Sequence, residues 1–178
     1  MNSINIEVEV QTFITKQEYE QLLEFFKQNA EFVKEDLQET FYFDENSNLR
    51  IQKNNSGAKL WHKEGNVHDE FMEEIEIQLK QEDFENAEKF LNKLGHQVKI
   101  KWHRLRNQFN WKGIKVCIDH TKGYGYILEL EKITTQDEQE ETLKKLKQKL
   151  SELNIKKTPK EIFTQKYNHY KENWRELI

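Results

Sequence analysis

The feature that most restricts this chain is a charged alternation repeated along its length. In "INIEVEVQ" (residues 4–11), Ile4, Ile6, Val8 and Val10 alternate with Glu7, Glu9 and Gln11. Side chains two apart share one face of a strand, so two carboxylates about 7 Å apart repel one another on that face. The habit recurs. Glu74/Glu76 alternate with Ile75/Ile77, Glu129/Glu131 with Leu128/Leu130, and Asp119 ends a stretch whose other face carries Ile114, Val116 and Ile118. Basic side chains take the same kind of face at Lys59/Lys63, Arg104/Arg106 and Arg50. Two architectures satisfy the pattern. The charged faces can meet solvent, with cross-strand pairs offsetting the repulsion, or the sheet can curl into a barrel with a polar interior and helices on its apolar outside. A charged interior is costly unless acids, bases, metal ions and an anionic ligand satisfy one another. Alternation alone does not say which face points inward.

The remaining punctuation predicts an element order. "TKQE" (15–18) is a capping box, and Tyr19, Leu22, Leu23 and Phe26 follow at helical spacing, giving a helix over 16–29. Residues 32–44 read as extended, 45–48 as an Asn-rich turn, 49–53 as a strand, 54–57 as a turn, and 58–65 and 71–80 as strands. A second helix over 81–95 is stopped by Gly95. Strands follow at 98–111, 114–119 and 124–133, joined by "KG" and "HTKG" turns. A capping box at Thr135 and Glu138 opens a charged helix with Leu143, Leu146, Leu150 and Leu153 as its stripe, and Thr158 (N-cap) with Pro159 (N1) opens the last one. The order is strand–helix, four strands, helix, three strands, two helices. It predicts a single α+β domain over residues 1–178, built on an antiparallel sheet or barrel.

Composition removes several function classes. The 28 basic and 32 acidic residues nearly balance, at a formal charge of −4, whereas a dedicated nucleic-acid binder carries net positive charge. The single cysteine, Cys117, excludes an internal disulfide and a multi-cysteine zinc site, and sits among strand residues as packing. The six histidines show no HxH or HExxH spacing, which argues against zinc. Gly123 and Gly125 are followed by no GK[ST], so they read as turn glycines and not a phosphate loop. Trp61, Trp102, Trp111 and Trp174 read as packing, and "KKLKQK" as the solvated face of a helix. No leader-like apolar run and no stretch of about 20 apolar residues is present, so the expectation is a cytoplasmic protein with no membrane partner.

These segments together resemble the CYTH domain, or triphosphate tunnel metalloenzyme, superfamily, named for class IV adenylyl cyclases and thiamine triphosphatases. "IEVEVQ" resembles its ExExK signature, "FYFDENSNLRIQK" its YFD…LRIR segment and "AKLWHKEG" its L-T-Y-K-G strand. "EEIEI" is similar to an acidic strand, "HRLRNQF" to K-x-R-x-x-Y, and "VCIDHTKGYGYILELE" to V-x-L-D-x-V-x-G-L-G-x-F-x-E-I-E. Order and spacing hold over roughly residues 4–133, with the helices of 135–178 outside the matched strands. The resemblance implies an eight-stranded antiparallel tunnel, closed or nearly closed, whose charged lumen binds a triphosphate compound and Mg²⁺ or Mn²⁺. Carried over by position, Glu7, Glu9, Glu129 and Glu131 are metal ligands, and Glu76 and Asp119 bind metal or order the basic residues. Arg50, Lys63, Arg104 and Arg106 hold phosphate oxygens, and Lys166 matches a basic residue that some members contribute from the last helix.

Two positions depart from the pattern: Gln11 stands where the signature has lysine, and Gln52 where LRIR has its second arginine. Glutamine can hydrogen-bond a phosphate or a water but carries no charge. In hydrolytic members that lysine is thought to help activate water, so Gln11, with Lys63 and Arg104, marks where catalysis is decided. Three functions follow from the resemblance: a triphosphatase acting on inorganic triphosphate, thiamine triphosphate or a nucleoside triphosphate; an adenylyl cyclase making cyclic AMP and pyrophosphate; and a binding module without turnover. A small-molecule partner is expected, with no nucleic acid and either a monomer or a homodimer.

Overall fold

Cross-strand register decides what alternation left open. The computed structural model describes residues 6–43, 48–64 and 71–178. Its strands are β1 (Ile6–Ile14), β2 (Glu31–Tyr42), β3 (Leu49–Lys53), β4 (Ala58–Glu64), β5 (Phe71–Leu79), β6 (Ile100–Trp111), β7 (Ile114–Thr121) and β8 (Gly125–Thr134). They pair antiparallel in a closed barrel, in the order β1-β5-β4-β3-β2-β6-β7-β8. Four helices, α1 (Lys16–Asn29), α2 (Phe84–Lys93), α3 (Gln139–Glu152) and α4 (Lys160–Leu177), complete the α+β fold. The ladders are long except at the β1–β5 seam, where the described residues pair only as Glu7↔Met72 and Val8↔Phe71. Among the described residues, no helix is long and apolar enough to cross a membrane.

The apolar faces turn outward under the helices. Val8 and Val10 of β1, Val116 and Ile118 of β7 and Leu128 and Leu130 of β8 are fully buried, together with Phe26 of α1 and Leu146 of α3. A side chain of this size contributes about 1.5–3 kcal/mol when fully buried. α2 brings Phe84 and Leu91 against Phe41 and Ile51. α4 lies across one end of the barrel: Phe163 packs on Phe13 (4.6 Å between centroids) and Tyr170 on Trp102 (5.0 Å). Tyr170 and Trp174 also donate hydrogen bonds to the carbonyls of Lys101 and Lys99, each 2.8 Å. The β7–β8 turn is shaped to receive the helix's end, since Gly123 has φ +73° and a Cβ there would lie 2.5 Å from Leu177 Cβ.

Most predicted elements are present, with instructive differences. Thr15 and Glu18 form the capping box. Gly95 sits at φ +96° and closes α2, with Gly95 N–H donating to the Asn92 carbonyl and His96 N–H to that of Leu91. The "KG" turn has both residues at positive φ (Lys112 53°, Gly113 74°), the two-residue hairpin geometry that matches strand twist. The Thr135 box is absent: Gln136–Glu138 form a 3₁₀ turn, and the Glu138 carboxylate accepts from Thr134 Oγ1 (3.1 Å). Likewise Gln81–Asp83 are 3₁₀, so α2 starts at Phe84. Thr158 does not cap α4; Pro159 takes that place. Thr158 is instead held by β1, accepting from Phe13 N–H and donating its own N–H to Thr12 Oγ1, both 2.9 Å. A tertiary contact wins over a local cap.

The apolar stripe expected on β5 is not covered: Ile75 is 68% and Ile77 54% exposed, and Phe90 of α2 and Leu94 just after it also face solvent. Ile4, the turn at 45–47 and Gly65 lie outside the described residues.

Candidate active site in the barrel lumen

In-register pairs put the charged faces inside. Glu9 lies opposite Glu131 and Gln11 opposite Glu129 on β1–β8. Lys63 faces Glu74 and Trp61 faces Glu76 on β4–β5, Arg50 faces Trp61 on β3–β4, Gln38 faces Arg104 on β2–β6, and Arg106 faces Asp119 on β6–β7. The lumen they enclose has a volume of ≈ 490 Å³. Its lining includes every predicted site residue except Lys166: Glu7, Glu9, Gln11, Arg50, Gln52, Lys63, Glu76, Arg104, Arg106, Asp119, Glu129 and Glu131. At the end crossed by α4 the lining turns aromatic and apolar, with Tyr42, Trp102, Ile127 and Tyr167. Lys166 is exposed and lays its ammonium over the Phe13 ring at 4.6 Å, outside the lumen. Helical phase explains this: Phe163, Tyr167 and Tyr170 take the buried face of α4 and leave Lys166 outside it.

Two walls of opposite character face each other. β1 and β8 bear Glu7, Glu9, Glu129 and Glu131; across the ring, β3, β4 and β6 bear Arg50, Lys59, Lys63, Arg104 and Arg106. Arg106 is the hinge of the network. Its guanidinium reaches Asp119 through Nε (2.9 Å to Oδ1) and Nη2 (2.7 Å to Oδ2), and Glu129 through Nη2 (2.9 Å). Arg104 donates to Gln38 (3.0 Å) and Asp119 (3.2 Å). Lys63 bridges Glu7 (2.9 Å) and Glu74 (3.3 Å), and Lys59 pairs with Glu76. Gln52 donates to Thr40 (2.9 Å).

Sequence reading missed Lys115, which pairs with Glu131 at 2.6 Å, and Gln38 and Trp61 as lumen residues; it placed Glu74 on the charged face but gave it no role. Lys115 was findable, since it shares strand parity with Asp119. β2 gave no such signal, because it lines the lumen with Lys34, Gln38, Thr40 and Tyr42, which show no repeated charge.

Crowded carboxyls titrate apart. Burial, then Glu129, pushes the Glu9 carboxyl up to about 8, and Glu7 and Glu131 add to this. Burial acts the same way on Glu129, but Arg106, Arg104 and two lysines overcome it and hold that carboxyl down at about 2. Lys63 is desolvated too, yet Glu9, Glu7 and Glu74 keep its ammonium above the usual range. Burial raises the Cys117 thiol to about 12, so it is inert packing.

Among the described residues no three His, Cys, Asp or Glu side chains converge as a ready ligand set, because the carboxylates are turned onto lysines and arginines. The donor chemistry nevertheless fits a hard divalent cation, which takes oxygen ligands, and the protonated Glu9 marks a point where positive charge is locally short.

An acid whose folded pKa is raised stabilises most below its unfolded value, and that contribution is lost as pH rises through the window from 4.5 to about 8. Wild-type protein in chelator is expected to lose up to a few kcal/mol across it, at about 1.36 kcal/mol per pKa unit. Glu9→Gln should flatten the slope. Thermal denaturation in EDTA at pH 5 and pH 8.5 checks this, and equal slopes would exclude Glu9 as the source.

A charged-lumen, eight-stranded antiparallel barrel defines a triphosphate-tunnel class of protein. The chain belongs to the CYTH domain family, whose model matches residues 5–162. It is 28% identical over 163 residues to the "putative adenylate cyclase" of Methanocaldococcus jannaschii, covering 86% of this chain and 91% of that one. Among solved structures it is similar to a conserved hypothetical protein from Pyrococcus furiosus, at 25% identity and TM-score 0.73 over 84% of this chain and 91% of that one. It is also similar, at 18% identity and TM-score 0.61 over 85% and 88% of the two chains, to a Hippeastrum protein described as having a dominant triphosphatase activity. At that identity the likeness shows the fold alone.

Proposed function

We propose that the lumen binds a triphosphate compound together with Mg²⁺ or Mn²⁺ and hydrolyses it. One observation carries the reading: a carboxylate wall and a guanidinium–ammonium wall face each other across a single enclosed space. Among the described residues seven carboxyl groups and seven cationic groups line that space, and with the Glu9 carboxyl pushed up to about 8 the cations exceed the carboxylates by one at neutral pH. That excess draws a triphosphate in but does not offset its roughly four negative charges, so an accompanying cation would complete the neutralisation. Glu7, Glu9, Glu129 and Glu131 would hold that cation, with Glu76 beside them. The bound ion would neutralise phosphate charge and polarise the phosphoryl group.

The chain's own groups supply the rest. Arg104 and Arg106 present planar forks to phosphate oxygens, and Asp119, which grips both, orients them. Arg50 and Lys63 add charge farther along the lumen, and Gln52 a neutral donor. Gln11 would orient water without carrying charge.

A second reading, cyclisation, is favoured by the archaeal relative's name. In it the ribose 3′-hydroxyl attacks the α-phosphate of ATP and pyrophosphate leaves. One assay separates the readings: incubation with Mg²⁺ or Mn²⁺ and inorganic triphosphate, thiamine triphosphate or ATP, with orthophosphate, pyrophosphate and cyclic AMP measured. Orthophosphate release is expected. Cyclic AMP with pyrophosphate would establish the cyclase instead, and thermal stabilisation by the ligand with neither product would leave a binding module.

A further inference from the structure

Trp61 occupies an inward position that its sequence context assigns to packing, and three observations set it apart. First, its indole lines the lumen while only 6% exposed. Second, two cations of the basic wall rest on it: the Lys59 ammonium lies 4.5 Å and the Arg50 guanidinium 5.7 Å from the ring centroid. Arg50 also lies 5.0 Å from the Tyr42 ring, its neighbour on the other side in the register Tyr42↔Arg50↔Trp61. The three residues thus form a cation–aromatic ladder across three adjacent strands. Third, the Trp61 indole N–H has no hydrogen-bond partner among the described residues. A buried donor without an acceptor is costly, and in a native structure it calls for an explanation. A purely packing role is filled as well by phenylalanine, which has no such donor.

We propose that Trp61 is a substrate-contacting, affinity-setting residue: its ring fixes Arg50 and Lys59 beside it, and its indole N–H donates to a non-bridging oxygen of the bound triphosphate. The inference rests on the triphosphate reading of the lumen and adds a contact to it. An anionic oxygen is the acceptor that a donor flanked by two cations selects, because the same cations that draw the phosphate in bring its oxygens to the indole. A charge-assisted contact of this kind changes affinity by about tenfold or more. It is present whether or not turnover follows, so it is read in binding.

The test uses the full chain, ¹⁵N-labelled, titrated with inorganic triphosphate first in EDTA and then with Mg²⁺ present. Tryptophan gives four indole N–H cross-peaks, one per residue, and Trp61→Phe identifies the relevant one by its loss. The expected result is a downfield shift and slowed solvent exchange of the Trp61 indole proton on saturation, with the peaks of Trp111 and Trp174, which lie outside the lumen lining, nearly unmoved. Trp61→Phe, which keeps a ring for the cations, should raise the Kd for inorganic triphosphate about tenfold. Trp61→Leu, which removes ring and donor, should raise it further. Triphosphate binding, seen as a rise in Tm or as shifts elsewhere, with an unmoved Trp61 resonance would overturn this inference and leave the function standing. No binding to wild-type protein would overturn both. The wild-type titration decides the matter even where a variant fails to fold.

Discussion

Arg106→Ala is expected to cost about 3–5 kcal/mol of stability, the range for stripping one partner from a buried ion pair. Arg106 is 9% exposed, and its removal strands Asp119 at 1% and Glu129 at 7% exposure. Three short hydrogen bonds disappear, and two carboxylates lose the cation that offsets their desolvation. For a chain of this length the drop in Tm is roughly 10 °C or more.

The loss has a pH signature. Arg106 helps hold Glu129 down at about 2. A depressed carboxyl contributes stability above its unfolded value of 4.5, and that contribution fades as pH falls toward 2. The gap in Tm between wild type and Arg106→Ala should therefore be wide at pH 7 and narrower at pH 3. A gap independent of pH would mean that lost packing, not the ion network, is responsible. Arg106 thus serves two ends, because the same guanidinium that secures the barrel wall is also aimed at the lumen.

The second large effect concerns chemistry. Gln11 donates to Glu9 at 2.5 Å and sits opposite Glu129 on the neighbouring strand. Gln11→Lys would place an ammonium against the carboxylate wall, at a point where burial and three carboxylates hold Glu9 protonated. Glu9 would ionise, and the new cation would be available to the attacking water or the transferred phosphate. Hydrolysis of inorganic triphosphate with Mg²⁺ or Mn²⁺ is expected to rise about tenfold or more, within the usual range for a positioned proton-transfer group. Initial rates of orthophosphate release at saturating substrate measure it. An unchanged rate would show that this position does not limit turnover, and that the neutral residue is no handicap.

How far the molecule was legible before folding can be judged residue by residue. Which side chains share a strand face was written as alternation, because a two-residue period needs nothing beyond the strand itself. Glu7, Glu9, Glu129 and Glu131 were grouped that way, as were Arg104 and Arg106, and the family resemblance assigned that face to the lumen they line. Helix stops encoded in backbone conformation were legible too, as Gly95 shows. Local rules failed where a distant partner outbid them. Thr158 left its cap for β1, and Lys166 was carried out of the lumen by the aromatic phase of α4. Trp61 lay in a strand already assigned, but Arg50 reaches its ring from the neighbouring strand, so its role could not be recognised from its own segment; Lys115 could have been, from its shared parity with Asp119, though its partner Glu131 sits on another strand.

The amino-acid order alone settled which residues share a face, how many strands and helices form, and which charges travel together, since each depends on neighbours a few positions away. Which face is the inside, which carboxyl keeps its proton, and which indole lacks a partner were settled only when the strands closed into a ring. Closure brings together groups far apart in the chain, as where Lys63 meets Glu7, 56 residues away, and removes water from between them. The strength of an electrostatic interaction depends on that separation and that exclusion, and neither exists in an open chain.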